Sequence, residues 1–170
     1  MILETNNLKL ISCDKEILTF AIEANKQLSN KINVTVPDNW TEFGVVALQY
    51  ALDKLVNSED EASWWTYLPV YKLNNTLIGS GGYKGKPTSD GIVEIGYEIV
   101  PQYRNRGFAT EMTKALIANA FNYKSVKLII AHTLGYENPS TKVLQKCGFV
   151  KVEQINDPED GIIWKWELKR

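Results

Sequence analysis

Cysteine and histidine are scarce in this sequence. Its 170 residues include two cysteines, Cys13 and Cys147, and a single histidine, His132. The cysteines form no CxxC pair and no second histidine lies at metal-ligand spacing, so we predict neither a disulfide framework nor a bound metal. The N-terminus lacks the basic and long apolar segments of a secretory leader. Together with the unpaired thiols, this indicates a reducing compartment, and we expect a cytoplasmic protein.

Long apolar runs and an excess of one charge are also absent. No apolar run approaches the ~18 residues that a membrane-spanning helix needs, and the formal net charge is only -1. We therefore expect no membrane partner and no general basic surface for nucleic acid. With 44% hydrophobic and 23% charged residues, the composition is that of a soluble globular protein, and the length fits a single domain over residues 1–170.

The spacing of apolar residues predicts a mixed α/β fold. Alternating or continuous apolar stretches predict strands, and apolar residues three and four positions apart predict helices. The predicted strands are 6–13, 63–73, 76–83, 91–100, 126–134, 149–155 and 161–168, and the predicted helices are 14–32, 41–57, 107–122 and 138–149. Strand 91–100, helix 107–122 and strand 126–134 form a β-α-β unit, which we expect to be right-handed.

The stretch PQYRNRGFATEM, residues 101–112, lies where a predicted strand ends and a predicted helix begins. Pro101 cannot donate to a sheet ladder, and Gly107 has no Cβ, so a ligand can approach the backbone there. The helix N-terminus has free N–H groups and a partial positive charge, and Arg104 and Arg106 add two cations. A phosphate or pyrophosphate fits this arrangement. The alternative is a surface loop whose arginines are solvated.

The common nucleotide-binding patterns GxGxxG and GxxxxGK[ST] are absent from this stretch. It reads Arg104-x-x-Gly107-x-Ala109 instead, which resembles the R/Q-x-x-G-x-G/A signature of GNAT-superfamily N-acetyltransferases. Other segments resemble the RimJ/RimL-type branch of ribosomal-protein N-terminal acetyltransferases: LETNNLKLI, IGSGGYKG, VEIGYEIVPQYRNRGFATEM, AHTLGYENPSTKVLQKCGF and DPEDGIIWKWEL. The resemblance runs in order from about residue 63 to 168 and is weakest over residues 30–60.

This resemblance implies a GNAT-like three-layer fold, in which helices flank a central, mostly antiparallel mixed sheet that is splayed. It also implies an enzyme that binds acetyl-CoA and transfers the acetyl group directly to a primary amine. The amine belongs either to a protein N-terminus or to a small molecule, and in this family the region equivalent to 30–60 covers it. A monomer and a homodimer are both compatible with the sequence.

The resemblance also implies a cofactor site. The residues that correspond to the pyrophosphate loop and the first helical turn are Arg104, Asn105, Arg106, Gly107, Phe108, Ala109 and Thr110. Pantetheine would pair with the exposed edge of strand 91–100 at the backbone of Ile99 and Val100, and the N–H near Val100 would polarise the thioester carbonyl. The side chain of Asn138 would contact pantetheine.

Glu94 is the candidate general base, because members of this family often carry a catalytic glutamate at this strand position. The pKa of a glutamate, ordinarily ~4.3, would have to rise toward neutrality through desolvation for this role. Glu98 has the same strand parity, lies on the same face and is the second candidate. The alternative for either carboxylate is a structural hydrogen-bond acceptor.

Ser140 is the candidate for stabilising or protonating the leaving thiolate, by its match to the family's Asn-then-Ser pattern. Helix N-capping is the alternative role for Asn138 and Ser140. Many members use a tyrosine about two turns into this helix as the general acid, but residues 144–147 contain none, so the general acid stays open. We expect His132, on an apolar strand, to be a core histidine, and Cys147 to be a small buried apolar residue.

Two other functions remain compatible with these motifs. The first is a GNAT-like domain that binds CoA but regulates or scaffolds without catalysis. The second is a domain that binds the phosphates of another nucleotide, such as ATP or NAD.

Overall fold

The computed structural model of the protein describes residues 1–55 and 59–170. The strands are β1 (Ile2–Glu4), β2 (Leu8–Ser12), β3 (Thr66–Tyr71), β4 (Thr76–Leu77), β5 (Gly79–Tyr83), β6 (Ile92–Ile99), β7 (Leu128–Leu134), β8 (Val150–Asp157) and β9 (Gly161–Lys169). The helices are α1 (Lys15–Glu23), α2 (Asn25–Ile32), α3 (Val46–Leu55), α4 (Phe108–Phe121) and α5 (Pro139–Lys146).

These strands form one mixed sheet. Their order is β1-β2-β3-β5-β6-β7-β9-β8, with β4 paired to β3. Neighbouring strands are antiparallel except for β6 and β7, which run parallel. Helix α4 connects this parallel pair, so the predicted β-α-β unit is present, and the mostly antiparallel mixed sheet is confirmed.

Helices cover both faces of the sheet. On one face, α4 and α5 pack against the central strands, and this cluster includes Val93, Ile95, Ile129, Met112, Leu116 and Leu144. On the other face, α1, α2 and α3 pack against the first strands, and this cluster includes Ile11, Leu68, Leu18, Leu28 and Leu48. Burial of each such side chain stabilises the fold by about 1.5–3 kcal/mol. The expected three-layer arrangement follows from these two cores.

The region predicted as one helix, 14–32, is two helices. Helix α1 begins after Asp14, whose side chain accepts the N–H of Ile17 at 2.8 Å and caps the helix as an aspartate does. The helical path breaks at Ala24, which has φ -156° and ψ 80°. Next to the break, the Asn25 side chain accepts Nε1–H of Trp40 at 3.1 Å. The spacing of apolar residues along the chain cannot reveal this tertiary contact.

The region predicted as the second helix, 41–57, becomes α-helical only at Val46. Before α3, the backbone N–H groups of Glu42 and Phe43 donate to the carboxylate of Glu98 instead of joining a helix. A buried carboxylate from the sheet therefore overrides the local helical pattern. The predicted end of this helix, at residues 56 and 57, lies outside the described residues.

The first predicted strand is preceded by a further strand that the sequence did not predict. The predicted strand 6–13 is present as β2, but the residues before it also form β1, which pairs antiparallel with β2. Three residues are too short for a pattern to indicate a strand. The strands predicted at 63–73 and 76–83 are joined by a tight turn in which Asn75 is in the left-handed region at φ 52°.

Candidate active site

A gap opens between β6 and β7. Their parallel pairing runs from Ile92 opposite Leu128 to Glu94 opposite Ile130 and ends there. Beyond this point β6 stays paired with β5 up to Ile99, and β7 stays paired with β9 up to Leu134. The two strands therefore diverge toward their carboxyl ends, which is the splay that the resemblance implied.

The ladder between β5 and β6 determines which backbone groups face this gap. Lys84 N–H donates to the Glu94 carbonyl at 2.9 Å, and Val100 N–H donates to the Ile78 carbonyl at 3.0 Å. Antiparallel strands alternate their hydrogen-bonding direction residue by residue. Ile95, Tyr97 and Ile99 therefore direct their N–H and C=O groups to the gap.

This alternation corrects one expectation. The N–H of Val100 is bonded within the sheet, on the side away from the gap, so it is not oriented to polarise a thioester in the gap. Ile99 keeps its expected place, because its backbone faces the gap. The sequence showed the strand but not its register against β5, and the register decides which residue is exposed.

The loop before α4 presents a run of backbone N–H groups. After a 3-10 turn at Pro101–Tyr103, Asn105 and Gly107 are both left-handed, with φ 59° and 83°. Within the described part of the chain, the N–H groups of residues 105–110 have no backbone acceptor. A Cβ added at Gly107 would meet nothing within 4 Å. Such a run of N–H groups at a helix N-terminus suits an anion.

The two arginines of this loop already have partners in the protein. Arg104 donates Nε–H to the carbonyl of Ile99 at 2.8 Å and forms an ion pair with Glu42. Arg106 donates to the hydroxyl of Tyr71 at 3.0 Å, and its guanidinium lies 4.9 Å from the ring centroids of Tyr71 and Phe108. A contact of either arginine with a bound pyrophosphate stays a prediction, whereas the free N–H groups are a feature of the structure.

Glu94 lies at the point where the gap begins. Its carboxylate is 2.5 Å from Nζ of Lys84 and 3.0 Å from Nδ1 of His132. Burial alone raises the pKa of Glu94, but the hydrogen bonds and positive charges of Lys84 and His132 outweigh it and hold the pKa below its ordinary value. The pKa increase that a glutamate base would need is therefore not present, although the position of Glu94 agrees with the sequence expectation.

Glu98 has a structural role in this arrangement. It is 6% exposed. Its carboxylate accepts hydrogen bonds from Thr41 Oγ1 at 2.6 Å and Ser80 Oγ at 2.9 Å, and from the N–H groups of Glu42 and Phe43 at 3.0 and 3.1 Å. Four donors leave this carboxylate little capacity to act as a base. Instead it fixes residues 41–43 over the carboxyl end of β6.

Asn138 and Ser140 have different roles at the start of α5. Asn138 is the N-cap, and its side chain accepts the N–H groups of Ser140 at 2.9 Å and Thr141 at 3.1 Å. The hydroxyl of Ser140 does not cap the helix and lies 3.1 Å from the hydroxyl of Tyr97. The capping role is therefore occupied by Asn138, and its contact with pantetheine stays a prediction. Ser140 is free of capping and faces the strand that borders the gap.

Sequence reasoning missed the roles of Tyr97 and His132. Burial raises the pKa of Tyr97 to about 12, so its hydroxyl is a neutral donor at pH 7, and it comes from β6 instead of the helix where a tyrosine was sought. The His132 side chain is 26% exposed and paired with Glu94, so it is not a core histidine. The one available signal was strand parity, which places His132 two positions beyond Ile130 on the same face.

No cluster of three or more potential metal ligands occurs in the part of the chain that the structure describes. The same residues contain no helix long and apolar enough to cross a membrane. Cys13 is fully buried, and burial raises the pKa of its thiol.

A splayed parallel pair joined by a helix whose N-terminal loop can hold an anion is the arrangement of an acetyl-CoA-dependent transferase. The comparison with known families agrees: residues 19–150 match the acetyltransferase (GNAT) domain. The chain therefore belongs to the GNAT acetyltransferases, whose members use acetyl-CoA, and the prediction of an N-acetyltransferase is confirmed.

Individual relatives lie at moderate distance. The chain is 27% identical to the uncharacterized N-acetyltransferase YjdG of Bacillus subtilis (strain 168) over 151 residues, which cover 88% of this chain and 90% of that protein. It shares its fold with the ribosomal-protein-S5-alanine acetyltransferase from Vibrio fischeri, with a TM-score of 0.72 and 15% sequence identity. The match covers 99% of this chain and 96% of that chain. Its fold also resembles that of RimL, the ribosomal L7/L12 alpha-N-protein acetyltransferase solved with coenzyme A, with a TM-score of 0.68 and 11% sequence identity. The match covers 99% of this chain and 98% of that chain.

Proposed function

We propose that the chain, as one catalytic domain over residues 1–170, is a cytoplasmic enzyme that transfers the acetyl group of acetyl-CoA directly to a primary amine. The observation that carries this proposal is the continuity between the N–H loop at residues 105–110 and the gap edge of β6. The loop is suited to the pyrophosphate. The gap-facing backbone groups of Tyr97 and the gap-facing N–H of Ile99 are suited to pantetheine and to the thioester carbonyl, which an N–H donor polarises.

Within this proposal, the cofactor is held by the loop and the first turn of α4. Backbone N–H groups of Asn105, Arg106 and Gly107 bind the pyrophosphate together with those of Phe108, Ala109 and Thr110. Gly107 matters because its open Cβ position lets the anion approach. Arg104 supports the site by holding the carbonyl of Ile99 at the gap edge of β6. Asn138 and Ser140 border the thioester end.

The acceptor amine enters from the sheet face that carries Glu94, Gly96, Glu98 and His132, which we call the carboxylate face. An ammonium must lose a proton before it can attack, and Glu94 with its partner His132 forms the centre that takes the proton. Residues 41–43, held by Glu98, border the same face.

An N-terminal amine of a protein is one acceptor class, suggested by RimL and the S5-alanine enzyme, and a small-molecule amine is the other. We propose a monomer or a homodimer.

The test is calorimetric titration of acetyl-CoA into the wild type and into Gly107→Glu. We expect micromolar binding, about -8 kcal/mol, and at least a ~100-fold loss in the variant, because a carboxylate would occupy the anion site. Gly161→Glu is the matched control: Gly161 has φ 72° and equally open space around its Cβ position, but it is the first residue of β9, next to the β8–β9 turn. Arg104→Ala should weaken binding far less than Gly107→Glu, because that side chain is bonded to the protein.

Titrations with ATP and NAD, and turnover of peptides with free N-termini and of polyamines, complete the test. Formation of an acetylated amine, detected by mass, identifies the acceptor class. Absence of acetyl-CoA binding to the wild type would overturn the proposed cofactor site, and equal losses in Gly107→Glu and Gly161→Glu would place the effect in the fold and not in the loop.

A further inference from the structure

The pair of Glu94 and His132 lies where β6 and β7 separate. Nδ1 of His132 is 3.0 Å from Oε1 of Glu94, and the two residues belong to different strands, so the contact spans the start of the gap. A carboxylate accepts only, so this contact makes Nδ1 the protonated ring nitrogen of a neutral imidazole. Among the described residues Nε2 has no hydrogen-bond partner, which leaves its lone pair available.

The charged groups on the carboxylate face around His132 come from four strands or their ends. They are Glu94 on β6, Lys84 after β5, Lys165 and Glu167 on β9, and Glu153 and Asp157 on β8. Lys165 is the cross-strand neighbour of His132 but pairs with Glu167 at 3.2 Å. Glu94 is the group that contacts the imidazole, and Lys84 contacts the same carboxylate. The imidazole is thus held by a carboxylate oxygen, Oε1 of Glu94, that Lys84 contacts as well.

We propose that His132 is the catalytic base of the transfer, with Nε2 taking the proton from the acceptor ammonium, and that Glu94 is a positioning residue that fixes the imidazole through Nδ1. This inference rests on the acetyltransferase function proposed above and names the group that carries out its proton step. A carboxylate bound to a lysine and a histidine is a weak proton acceptor, whereas an imidazole ordinarily titrates near pH 6.5 and accepts a proton readily at neutral pH.

The ammonium transfers one proton to Nε2 and becomes a free amine, whose lone pair attacks the thioester carbonyl carbon. The C–N bond forms and the C–S bond breaks, and the second amine proton leaves as the thiolate becomes the thiol of CoA. The imidazolium returns its proton to water. The side chain of His132 is a quarter exposed, so water can reach it. The orientation by Glu94 follows the general logic of a base held in one tautomer by a carboxylate.

The decisive variant is His132→Asn. The Asn amide can still donate to Glu94 near the Nδ1 position, but nothing replaces Nε2. We expect kcat/KM at pH 7 to fall ~100-fold or more, the range of a lost general base, with acetyl-CoA affinity unchanged. The acid limb of the pH profile, which is the fall of kcat/KM toward low pH, should disappear in His132→Asn. In Glu94→Gln the acid limb should persist, because the imidazole base is still present, while kcat should fall because the ring has lost the carboxylate that fixes it. Glu153→Gln is the matched control, since it removes an exposed carboxylate from β8 on the same face.

A second measurement does not depend on turnover. Because the chain has one histidine, its imidazole gives a single set of nitrogen and carbon signals in a heteronuclear NMR spectrum of the wild type. We expect the neutral ring to carry its proton on Nδ1, and Glu94→Gln to change the tautomer balance. A ring protonated on Nε2, or a His132→Asn enzyme with more than a tenth of wild-type kcat/KM, overturns the proposal. If the wild type acetylates no amine, the enzyme function fails as well, and the NMR result still shows whether Glu94 fixes the ring.

Discussion

The hydroxyl of Tyr97 on β6 lies 3.1 Å from the hydroxyl of Ser140 in the first turn of α5. The two groups connect the strand that borders the gap with the helix that faces it. In the proposed transfer, the thiolate that forms when the C–S bond breaks develops beside these groups, and a neutral hydroxyl can donate to it. Burial raises the pKa of Tyr97 to about 12, so this tyrosine keeps its proton throughout the neutral range.

Removal of either hydroxyl should therefore slow the chemical step. We expect Ser140→Ala to lower kcat ~10-fold or more, about 1.4 kcal/mol, the scale of one hydrogen bond to a developing charge. Tyr97→Phe should have a smaller effect, and the double variant should be no worse than Ser140→Ala, because the two hydroxyls act through one contact. Single-turnover kinetics measure this. Fully additive losses would contradict a shared role.

Gly96 leaves an open position on the carboxylate face between Glu94 and Glu98. A Cβ added there would meet nothing within 4 Å, and strand positions accept larger and β-branched side chains well. A series Gly96→Ala, Gly96→Val and Gly96→Leu should raise the KM for the acceptor stepwise, by ~10-fold or more for the largest, because the side chain fills the space that the amine crosses. Acetyl-CoA affinity and thermal stability should stay within experimental error of the wild type.

The size dependence is the control within this series. An equal loss of activity at alanine and at leucine would indicate a backbone effect. A fall in acetyl-CoA affinity would indicate that the cofactor, and not the amine, occupies the space beside Gly96.

Glu98 should matter for stability more than for chemistry. In Glu98→Gln, an amide NH2 replaces one oxygen among four donors in a buried position, and unsatisfied buried donors make this unfavourable. We expect a loss of about 2–3 kcal/mol in the free energy of unfolding, which corresponds to roughly 4–12 °C in Tm for a chain of this size. Hydrogen exchange should accelerate first at residues 41–45.

The exposed carboxylate of Glu153 again supplies the control. Glu153→Gln should change the free energy of unfolding by less than ~0.5 kcal/mol, the usual range for surface positions. A Glu98→Gln protein as stable as this control would show that the residues before α3 hold their place without the carboxylate.

Some parts of the fold and site could be predicted from local patterns. The strand at β6, the helix α4 and the loop between them depend on Pro101, Gly107 and nearby apolar periodicity, and the structure has them within one or two residues. These signals are local because turn residues and helix starts are determined by neighbouring residues in the chain.

Other parts depend on contacts between distant residues. The break at Ala24 and the late start of α3 accompany Trp40 and Glu98, which no local pattern connects to them. The direction of the Val100 N–H depends on the β5–β6 register. The partnership of Glu94 with His132 joins residues 38 positions apart, and strand parity alone does not give the β6–β7 register that brings the two together.

Glu111 in the first turn of α4 gives a prediction about pH. Its carboxylate accepts Thr5 Oγ1 at 2.6 Å, Asn7 N–H at 2.7 Å and Asn7 Nδ2 at 2.9 Å, and so attaches the β1–β2 turn to the helix. Burial alone raises the pKa of Glu111, but these hydrogen bonds outweigh it, so the pKa lies below its ordinary value. A lowered folded-state pKa stabilises the fold above the unfolded value of ~4.3, and this contribution is lost as the pH falls through the folded-state pKa.

Glu111→Gln should therefore be destabilised at pH 7 and approach the wild type in acid. Because the carboxylate is partly exposed, we expect about 1 kcal/mol at pH 7, or roughly 2–4 °C in Tm, with the difference shrinking below pH ~4. Glu23→Gln, at an exposed position on α1, is the matched control and should show almost no difference at either pH. Thermal unfolding of the three proteins from pH 3 to pH 8 measures this, and a Glu111→Gln deficit that is constant across the range would mean that the charge of Glu111 plays no part in holding the β1–β2 turn.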